Sequence, residues 1–371
     1  MADPMDWVAV SALPGVGPVS LQKLIRNHWA PARLLGATQE EWRGLGLNNR
    51  AQSALQAYQQ GAGPLVAQQQ SVANWQSCTR EATVIALDSE DYPHLLKTIP
   101  DPPPVLYVRG DINQLHLPQI ALVGSRNASG AGVRHAAAFS GALTRAGFVV
   151  TSGMACGIDG AAHQAAVNLS KPTIAVFGTG PDKLYPARHR ILAAQILEAG
   201  GAWVSELPPG TAPLAHNFPK RNRIISGLSA GVLVIEAAPR SGSLITARQA
   251  LEQGREVFAL PGALNNPLSQ GCHTLIREGA LLVSTVEHIL EQLAPLLGSY
   301  AVDEQVTPAL APEIELTGQE RLVLDAVGYE NSHIDQLAAL TGLPVAELNV
   351  ILMSLELKGQ LDTNGEGYSR I

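Results

Sequence analysis

Residues 120–153 read IALVGSRNASGAGVRHAAAFSGALTRAGFVVTSG, and this stretch contains the repeating unit from which the fold can be predicted. An uninterrupted apolar run, Ile120–Val123, ends at Gly124, a helical stretch follows, and a second apolar run, Phe148–Val150, ends in Thr-Ser-Gly. Strands that are apolar throughout and alternate with helices are typical of a parallel sheet covered on both faces. The unit therefore predicts an α/β fold that binds its ligands at the carboxyl ends of the strands.

The same pattern continues to about residue 297. The further apolar runs are Thr173–Phe177, Ala202–Val204, Val232–Ile235, Val257–Leu260 and Leu281–Val283. We predict an extended Rossmann-like domain over residues 80–297, with a doubly wound, mostly parallel sheet at its core in 118–297. The segment before the core contains Asp101-Pro102-Pro103-Pro104, which cannot be helical. We interpret residues 80–117 as a connecting segment with short strands at Thr83–Leu87 and Val105–Val108, which forms an extended arm docked on the core.

The flanking regions are predicted to be helical. Residues 1–75 carry glycine-bearing turns at 13–18 and 44–46, which fits either a helix-hairpin-helix (SAM-like) domain or a small helical bundle. A linker is expected at 298–315. Residues 316–371 predict three helices and a hairpin with Asn364-Gly365 at its tip, which is a winged-helix pattern. Its third helix carries two glutamates against one lysine, so we expect this unit to bind protein and not phosphate.

Composition limits the classes of function. The 371 residues include 25 Lys and Arg against 32 Asp and Glu, a formal charge of −7 that argues against a generally basic DNA-binding protein. A nucleic acid nevertheless responds to the local electrostatic field of a groove. The distribution of charge along the chain, and not the net charge, therefore decides whether the protein could bind DNA. The three cysteines fit neither a disulfide framework nor a zinc site. The start MADPMDWVAV is not a signal peptide, and no apolar run reaches the roughly 20 residues of a membrane span. We expect a cytoplasmic protein without metal, cofactor or membrane contact.

Three clusters of small and polar residues follow strands. Gly124-Ser125-Arg126 and Ser152-Gly153 come after the first two, and Ser241 to Thr246 comes after a later one. Glycine lets a backbone approach a ligand, hydroxyls and helix N-termini donate to anions, and arginine presents a fork of N–H groups. The plainer interpretation of each cluster is a tight turn. Asp159, which follows the second cluster, is predicted to cap the next helix.

The most basic stretch is Phe218-Pro219-Lys220-Arg221-Asn222-Arg223. From residue 216 to 248 there are five Lys or Arg and one acidic residue, Glu236. A solvated charged face would explain this, but the flanking apolar residues favour attachment to the sheet, with phosphate contacts and base stacking on Phe218. The full set of predicted phosphate-binding residues is Gly124, Ser125, Arg126, Ser152, Gly153, Lys220, Arg221, Asn222, Arg223, Ser241, Gly242, Ser243 and Thr246.

Enzyme motifs are missing from the sequence. There is no G-x-G-x-x-G after the first strand, no P-loop and no H-E-x-x-H. We therefore predict no catalytic residues and no enzyme activity. The alternative is a Rossmann-like hydrolase that acts on a nucleotide or nucleoside phosphate, with Glu206 or Glu236 as the acid or base.

Several motifs follow one another in a fixed order along the predicted Rossmann-like domain. They are Gly124-Ser125-Arg126, Ser152–Asp159 with Ala162-His163, Gly178-Thr179-Gly180 with Tyr185-Pro186, Ser205-Glu206, Phe218–Ser229, Glu236-Ala237, Ser241–Ala247 and Pro261-Gly262. This ordered series resembles the DprA/Smf family of DNA-processing proteins. The resemblance implies a Rossmann-like domain that binds single-stranded DNA and forms a homodimer. It also implies displacement of single-strand-binding protein and loading of the recombinase RecA onto incoming strands during natural transformation. A third hypothesis, a scaffold that only tethers RecA, predicts that Arg126→Ala and Arg221→Ala leave DNA affinity intact.

Overall fold

A computed structural model describes residues 3–17, 20–21, 23–24, 27–297, 316–327, 332–363 and 367–370. The expected linker at 298–315 and the expected hairpin tip, Asn364-Gly365, lie outside the described residues. The boundaries of the three predicted domains stay predictions.

The N-terminal part is helical. Its helices are α1 (Pro4–Ser11), α2 (Pro31–Gly36), α3 (Gln39–Gly44), α4 (Asn49–Gln59) and α5 (Gly63–Cys78). Side chains of Asp3, Thr38 and Asn48 accept hydrogen bonds from the first-turn amides of α1, α3 and α4, which fixes where these helices begin. The helices enclose a core of their own around Trp42 and Leu55. A helix-hairpin-helix assignment within this part stays a prediction.

A nine-stranded sheet forms the centre of the molecule. Its strands are β1 (Ala82–Ala86), β2 (Val105–Gly110), β3 (Gln119–Gly124), β4 (Val149–Ser152), β5 (Thr173–Val176), β6 (Ala202–Ser205), β7 (Gly231–Ile235), β8 (Glu256–Ala259) and β9 (Leu281–Leu282). The order is β1-β2-β6-β5-β4-β3-β7-β8-β9. The seven strands from β6 to β9 are parallel, while β2 runs antiparallel to β6 and β1 antiparallel to β2. The predicted mostly parallel α/β sheet is confirmed.

The two short strands expected within residues 80–117 are present, but they belong to the sheet and not to a docked arm. Strands β1 and β2 are hydrogen-bonded members of the sheet and extend it beyond β6. Trp7 of α1 and Trp75 of α5 pack on them, against Val84 and Tyr107. The two extra strands therefore serve as the surface on which the N-terminal helices rest.

Helices cover both faces of the sheet. They are α6 (His94–Lys97), α7 (Gly130–Arg145), α8 (Ile158–Asn168), α9 (Arg190–Glu198), α10 (Asn217–Leu228), α11 (Ser243–Glu252), α12 (Gln270–Arg277) and α13 (Val286–Leu297). Alternate residues of β3 enter opposite cores, because successive side chains of a strand point to opposite faces. Ala121 and Val123 pack with Ile225 of α10, whereas Ile120 and Leu122 pack with Phe139 of α7. Two apolar faces explain why the strand is hydrophobic throughout.

The C-terminal unit has the predicted winged-helix pattern. It consists of α14 (Gly318–Val327), α15 (Ile334–Thr341), α16 (Val345–Leu357) and the antiparallel strands β10 (Leu361–Thr363) and β11 (Tyr368–Arg370). Gly342, with φ of +70°, ends α15. Within the described ranges, no single helix is long and apolar enough to cross a membrane. The pair α15 and α16 passes that test by length and composition, but bends by 106° at its break.

Candidate nucleic-acid interface

An open cleft of about 510 Å³ lies at the carboxyl ends of β3 and β7, between the turn after β3 and helices α10 and α11. It brings Arg126 and Arg221 to one site, although 94 positions separate them in the sequence. Nine of the predicted residues line it: Gly124, Ser125, Arg126, Arg221, Asn222, Ser241, Gly242, Ser243 and Thr246. Ser152, Gly153, Lys220 and Arg223 do not.

Close packing fixes the turn after β3. A Cβ on Gly124 would lie 1.9 Å from the carbonyl oxygen of Ile235, so only glycine fits there. The amide of Ser125 donates to the carbonyl oxygen of Glu236 at 2.8 Å, and its own carbonyl accepts from Ile158 at 3.2 Å. The exposed side chain of Arg126 therefore leaves a rigid turn that is tied to two neighbouring elements.

The opposite wall is the start of α11. The hydroxyls of Ser241 and Ser243 lie 2.7 Å apart, and the side-chain amide of Asn222 donates to the carbonyl oxygen of Gly242 at 3.3 Å. Gly242 itself has open space where a Cβ would be, with no atom within 4 Å. Backbone and hydroxyl groups are thus presented to the cleft without a side chain in front of Gly242.

Arg221 is 4% exposed and lies beneath the turn that follows β4. Its Nη1 donates to the carbonyl oxygen of Gly153 at 2.8 Å and also to that of Val176. Burial lowers its pKa to about 10, against the opposing effect of Asp159, so the guanidinium remains charged at neutral pH. Arg221 combines two roles: it supports the turn and supplies positive charge to the cleft wall.

The predictions for the turn after β4 need correction. The hydroxyl of Ser152 donates to the carbonyl oxygen of Leu122 at 2.6 Å, and the amide of Gly153 donates to Asp159 at 3.1 Å. Both groups are therefore already bonded inside the protein. Helix α8 begins at Ile158, so Asp159 lies within its first turn and does not cap it. Its carboxylate instead accepts from the preceding turn, and burial raises its pKa.

Lys220 and Arg223 do not line the cleft and contact acidic residues instead. Arg223 donates to Glu206 at 2.7 Å and to Asp101 at 3.2 Å, and Lys220 lies 3.5 Å from Glu206. The stretch that holds all four predicted polar residues is helical, and consecutive residues of a helix are rotated by about 100°. The four cannot share one face, which is why Arg221 and Asn222 line the cleft and Lys220 and Arg223 do not.

Both glutamates named for the hydrolase alternative have structural partners. The side chain of Glu206 is 5% exposed and forms the ion pair with Arg223. The carboxylate of Glu236 accepts hydrogen bonds from the amide and hydroxyl of Ser129, at the start of α7. Neither side chain lines the cleft.

Two features of the site were not predicted. Arg240 and Asn127 also line the cleft and are exposed. Among the described residues, neither Arg126 nor Arg240 has a carboxylate within ion-pair distance. The half-exposed ring of Tyr185 lies 5.4 Å from that of Phe218, which places a second aromatic at the cleft edge. Arg240 could have been predicted, because it lies within the basic stretch 216–248. Nothing in the sequence indicated that the rings of Tyr185 and Phe218 would lie side by side.

These features define a class: a Rossmann-like α/β protein with a cationic cleft at the carboxyl ends of its strands and a winged helix near its C-terminus. The chain belongs to the DNA recombination-mediator protein A family, also called DprA or Smf, whose model matches residues 83–294. The model of the DprA winged-helix domain matches residues 307–367. Members of this family are DNA-processing recombination mediators, and the suspected family is confirmed.

Individual relatives agree with this assignment. The chain is 48% identical to Protein Smf of Escherichia coli over 297 residues, which is 78% of this chain and 77% of the relative. The X-ray structure of DprA from Streptococcus pneumoniae matches with a TM-score of 0.65 and 34% identity, over 78% of this chain and 98% of that one. DNA processing protein A from Helicobacter pylori, solved to describe its single-stranded DNA binding mode, matches with a TM-score of 0.52 and 28% identity, over 58% and 96%.

Proposed function

We propose that the cleft binds single-stranded DNA and that the protein is not an enzyme. The observation that carries this proposal is the convergence of Arg126, Arg221 and Arg240 on one open cleft in a protein of net negative charge. Concentrated local charge attracts a polyanion even when the whole molecule is acidic. The Helicobacter pylori relative, whose structure concerns a single-stranded DNA binding mode, supports the same assignment.

The strand's phosphates would be held by the exposed guanidiniums of Arg126 and Arg240 and by the hydroxyls of Ser241 and Ser243. Such contacts carry no base information, so binding should tolerate mixed sequences and weaken with salt. Bases would stack on the rings of Phe218 and Tyr185 at the cleft edge, because every base has a flat face. Open space in front of Gly242 leaves room for the sugar–phosphate backbone to approach.

A hydrolase is the weaker candidate because of where its carboxylates lie. A general acid or base must come within hydrogen-bond reach of the reacting group. Glu206 and Glu236 are held by Arg223 and Ser129 and stay outside the cleft lining. Asp159 reaches the wall, but its carboxylate is occupied by the amides of Gly153 and Ala155.

The wider role is inferred from the family to which the chain belongs. We propose that the protein is cytoplasmic, forms a homodimer, and loads RecA onto incoming strands while it displaces single-strand-binding protein during natural transformation. One edge of the sheet is consistent with a dimer. Edge strand β9 exposes Leu281 and Leu282 by 38% and 51%, and an exposed apolar edge strand can pair with another chain. RecA filament formation on strands coated with single-strand-binding protein tests the loading step, and it should require the intact cleft.

Binding of a fluorescent mixed-sequence oligonucleotide tests the site directly. Arg126→Ala and Arg240→Ala should each lower strand affinity about tenfold, which corresponds to about 1.4 kcal/mol. Arg80→Ala is the matched control, because Arg80 is 90% exposed and lies outside the cleft. A parallel assay measures hydrolysis of nucleoside monophosphates. Unchanged affinity in both cleft variants would favour the RecA-tethering scaffold, and turnover without strand binding would favour the hydrolase.

A further inference from the structure

The third helix of the winged-helix unit, α16, is apolar on two sides. Its inner side is buried in the core of the unit and comprises Leu348, Ile351, Leu352 and Leu355. Its outer side is formed by Ala346, Val350, Met353 and Leu357, the last three exposed by 70%, 65% and 85%. The spacing i, i+4, i+7, i+11 aligns these four into one stripe about 16 Å long. We call them the α16 stripe.

An exposed apolar stripe on a soluble unit marks a contact surface. In helix-turn-helix proteins that bind DNA, the corresponding helix turns its outer face into the major groove. Here residues 345–357 contain no Lys or Arg, and Glu347 and Glu356 border the stripe on its two sides. Lys358, just beyond the helix, is ion-paired with Glu320. This face is therefore unsuited to phosphates.

Charge also determines what can cover the stripe. Residues 316–371 hold eight Asp or Glu against three Lys or Arg, a formal charge of −5. A second copy of the unit would bring the same negative charge against it, and an anionic bilayer would repel it too. A cationic partner would be attracted.

We propose that the α16 stripe is the docking site for an amphipathic helix of a partner protein, with lysine or arginine on both sides of its apolar face. Helices that pack side by side present apolar residues at alternating spacings of four and three, and the α16 stripe has this spacing. The unbranched side chain of Met353 adapts to its partner, as methionine does at helix-binding surfaces. Glu347 and Glu356 select the charge of the partner.

Two synthetic 18-residue amphipathic peptides test the proposal on the full chain. They share one leucine stripe and differ in its borders, lysine in one and glutamate in the other. The lysine peptide should bind at least tenfold more tightly in fluorescence anisotropy. Met353→Asp should weaken its binding at least tenfold, whereas Leu340→Asp, a 70% exposed leucine on α15, should not. Glu347→Lys with Glu356→Lys should reverse the preference between the peptides.

Several results would overturn the proposal. They are equal binding of the two peptides to the unmodified chain, an effect of Leu340→Asp as large as that of Met353→Asp, and absence of binding. Stripe-dependent self-association in sedimentation would assign the stripe to a second copy instead. Stripe-dependent binding to phosphatidylcholine vesicles, without peptide binding, would assign it to a membrane. The comparison of the two peptides uses the unmodified chain, so it tests the proposal even if a variant fails to fold.

Discussion

The guanidinium of Arg221 supports the backbone of Gly153: its Nη1 donates to the Gly153 carbonyl at 2.8 Å, while the Gly153 amide donates to the buried carboxylate of Asp159. A single glycine thus connects a buried cation and a buried anion. The turn after β4, which forms one side of the cleft, is held from below by this pair. Arg221 should therefore matter for folding as well as for binding.

Replacement of Arg221 by alanine should destabilise the protein by about 3 kcal/mol, because it leaves a buried carboxylate without its positive partner and two carbonyl oxygens without a donor. Urea denaturation measures the loss. Arg126→Ala is the control, since the exposed Arg126 has no buried partner and should leave the midpoint unchanged. Equal midpoints for the two variants would contradict the supporting role of Arg221.

Salt dependence distinguishes phosphate contacts from other effects. On single strands the logarithm of affinity falls with the logarithm of salt concentration by about 0.7 per phosphate neutralised. The double variant Arg126→Ala with Arg240→Ala should therefore reduce that slope by about 1.4. Titrations at several potassium chloride concentrations give the slope. If affinity falls while the slope stays constant, the two arginines do not contact phosphates.

The fold was predictable to a greater extent than the site. A run that is apolar throughout, such as Ile120–Val123, indicates a strand buried on both faces. This pattern can be recognised from the local sequence alone, without knowing which distant residues pack on the strand. Arg221 and Arg223 lie on opposite sides of α10 because the helix begins at Asn217. That beginning was not recognised in the sequence because Pro219 follows it two residues later. Proline is tolerated in a first helical turn, where its missing N–H is not needed. The ion pair between Arg223 and Glu206 depends on the order of the strands, which local sequence does not contain.

Gly242 allows a test of backbone approach by the strand. A Cβ there meets no protein atom within 4 Å, so Gly242→Ala should change stability by less than about 1 kcal/mol. If DNA passes close to this backbone, affinity should nevertheless fall about tenfold. Gly36→Ala makes the same chemical change at an equally open position in α2 and should alter neither quantity. An unchanged affinity for Gly242→Ala would place the strand farther from α11.

Acid should weaken the fold through His163. Its side chain is fully buried, and burial, with smaller effects of His189 and Arg221, lowers its pKa from 6.5 to about 3. Below pH 6.5 His163 is protonated in the unfolded chain, whereas in the folded chain it stays neutral until about pH 3. The free energy of unfolding therefore falls as the pH drops from 6.5 towards 3. Between pH 7 and pH 5 the loss should be about 2 kcal/mol. His163→Gln, which keeps a donor for Thr173, should remove that part of the pH dependence in urea titrations at both pH values. Parallel curves for the two proteins would rule out His163 as the source.

The ion pair between Arg223 and Glu206 should contribute to stability without contributing to strand binding. The two side chains are 8% and 5% exposed, and Asp101, which precedes the proline-rich segment, completes the group. Removal of one partner from a buried pair leaves an uncompensated charge, whereas removal of both often costs little. Arg223→Met alone should therefore destabilise the protein by about 3 kcal/mol, and Arg223→Met with Glu206→Leu by clearly less. Because Arg223 is buried in its ion pair and does not line the cleft, strand affinity measured under folding conditions should be the same in both variants as in the unmodified chain. A tenfold loss of affinity in a fully folded Arg223→Met variant would restore Arg223 to the set of phosphate contacts and place part of the DNA path on the far side of α10.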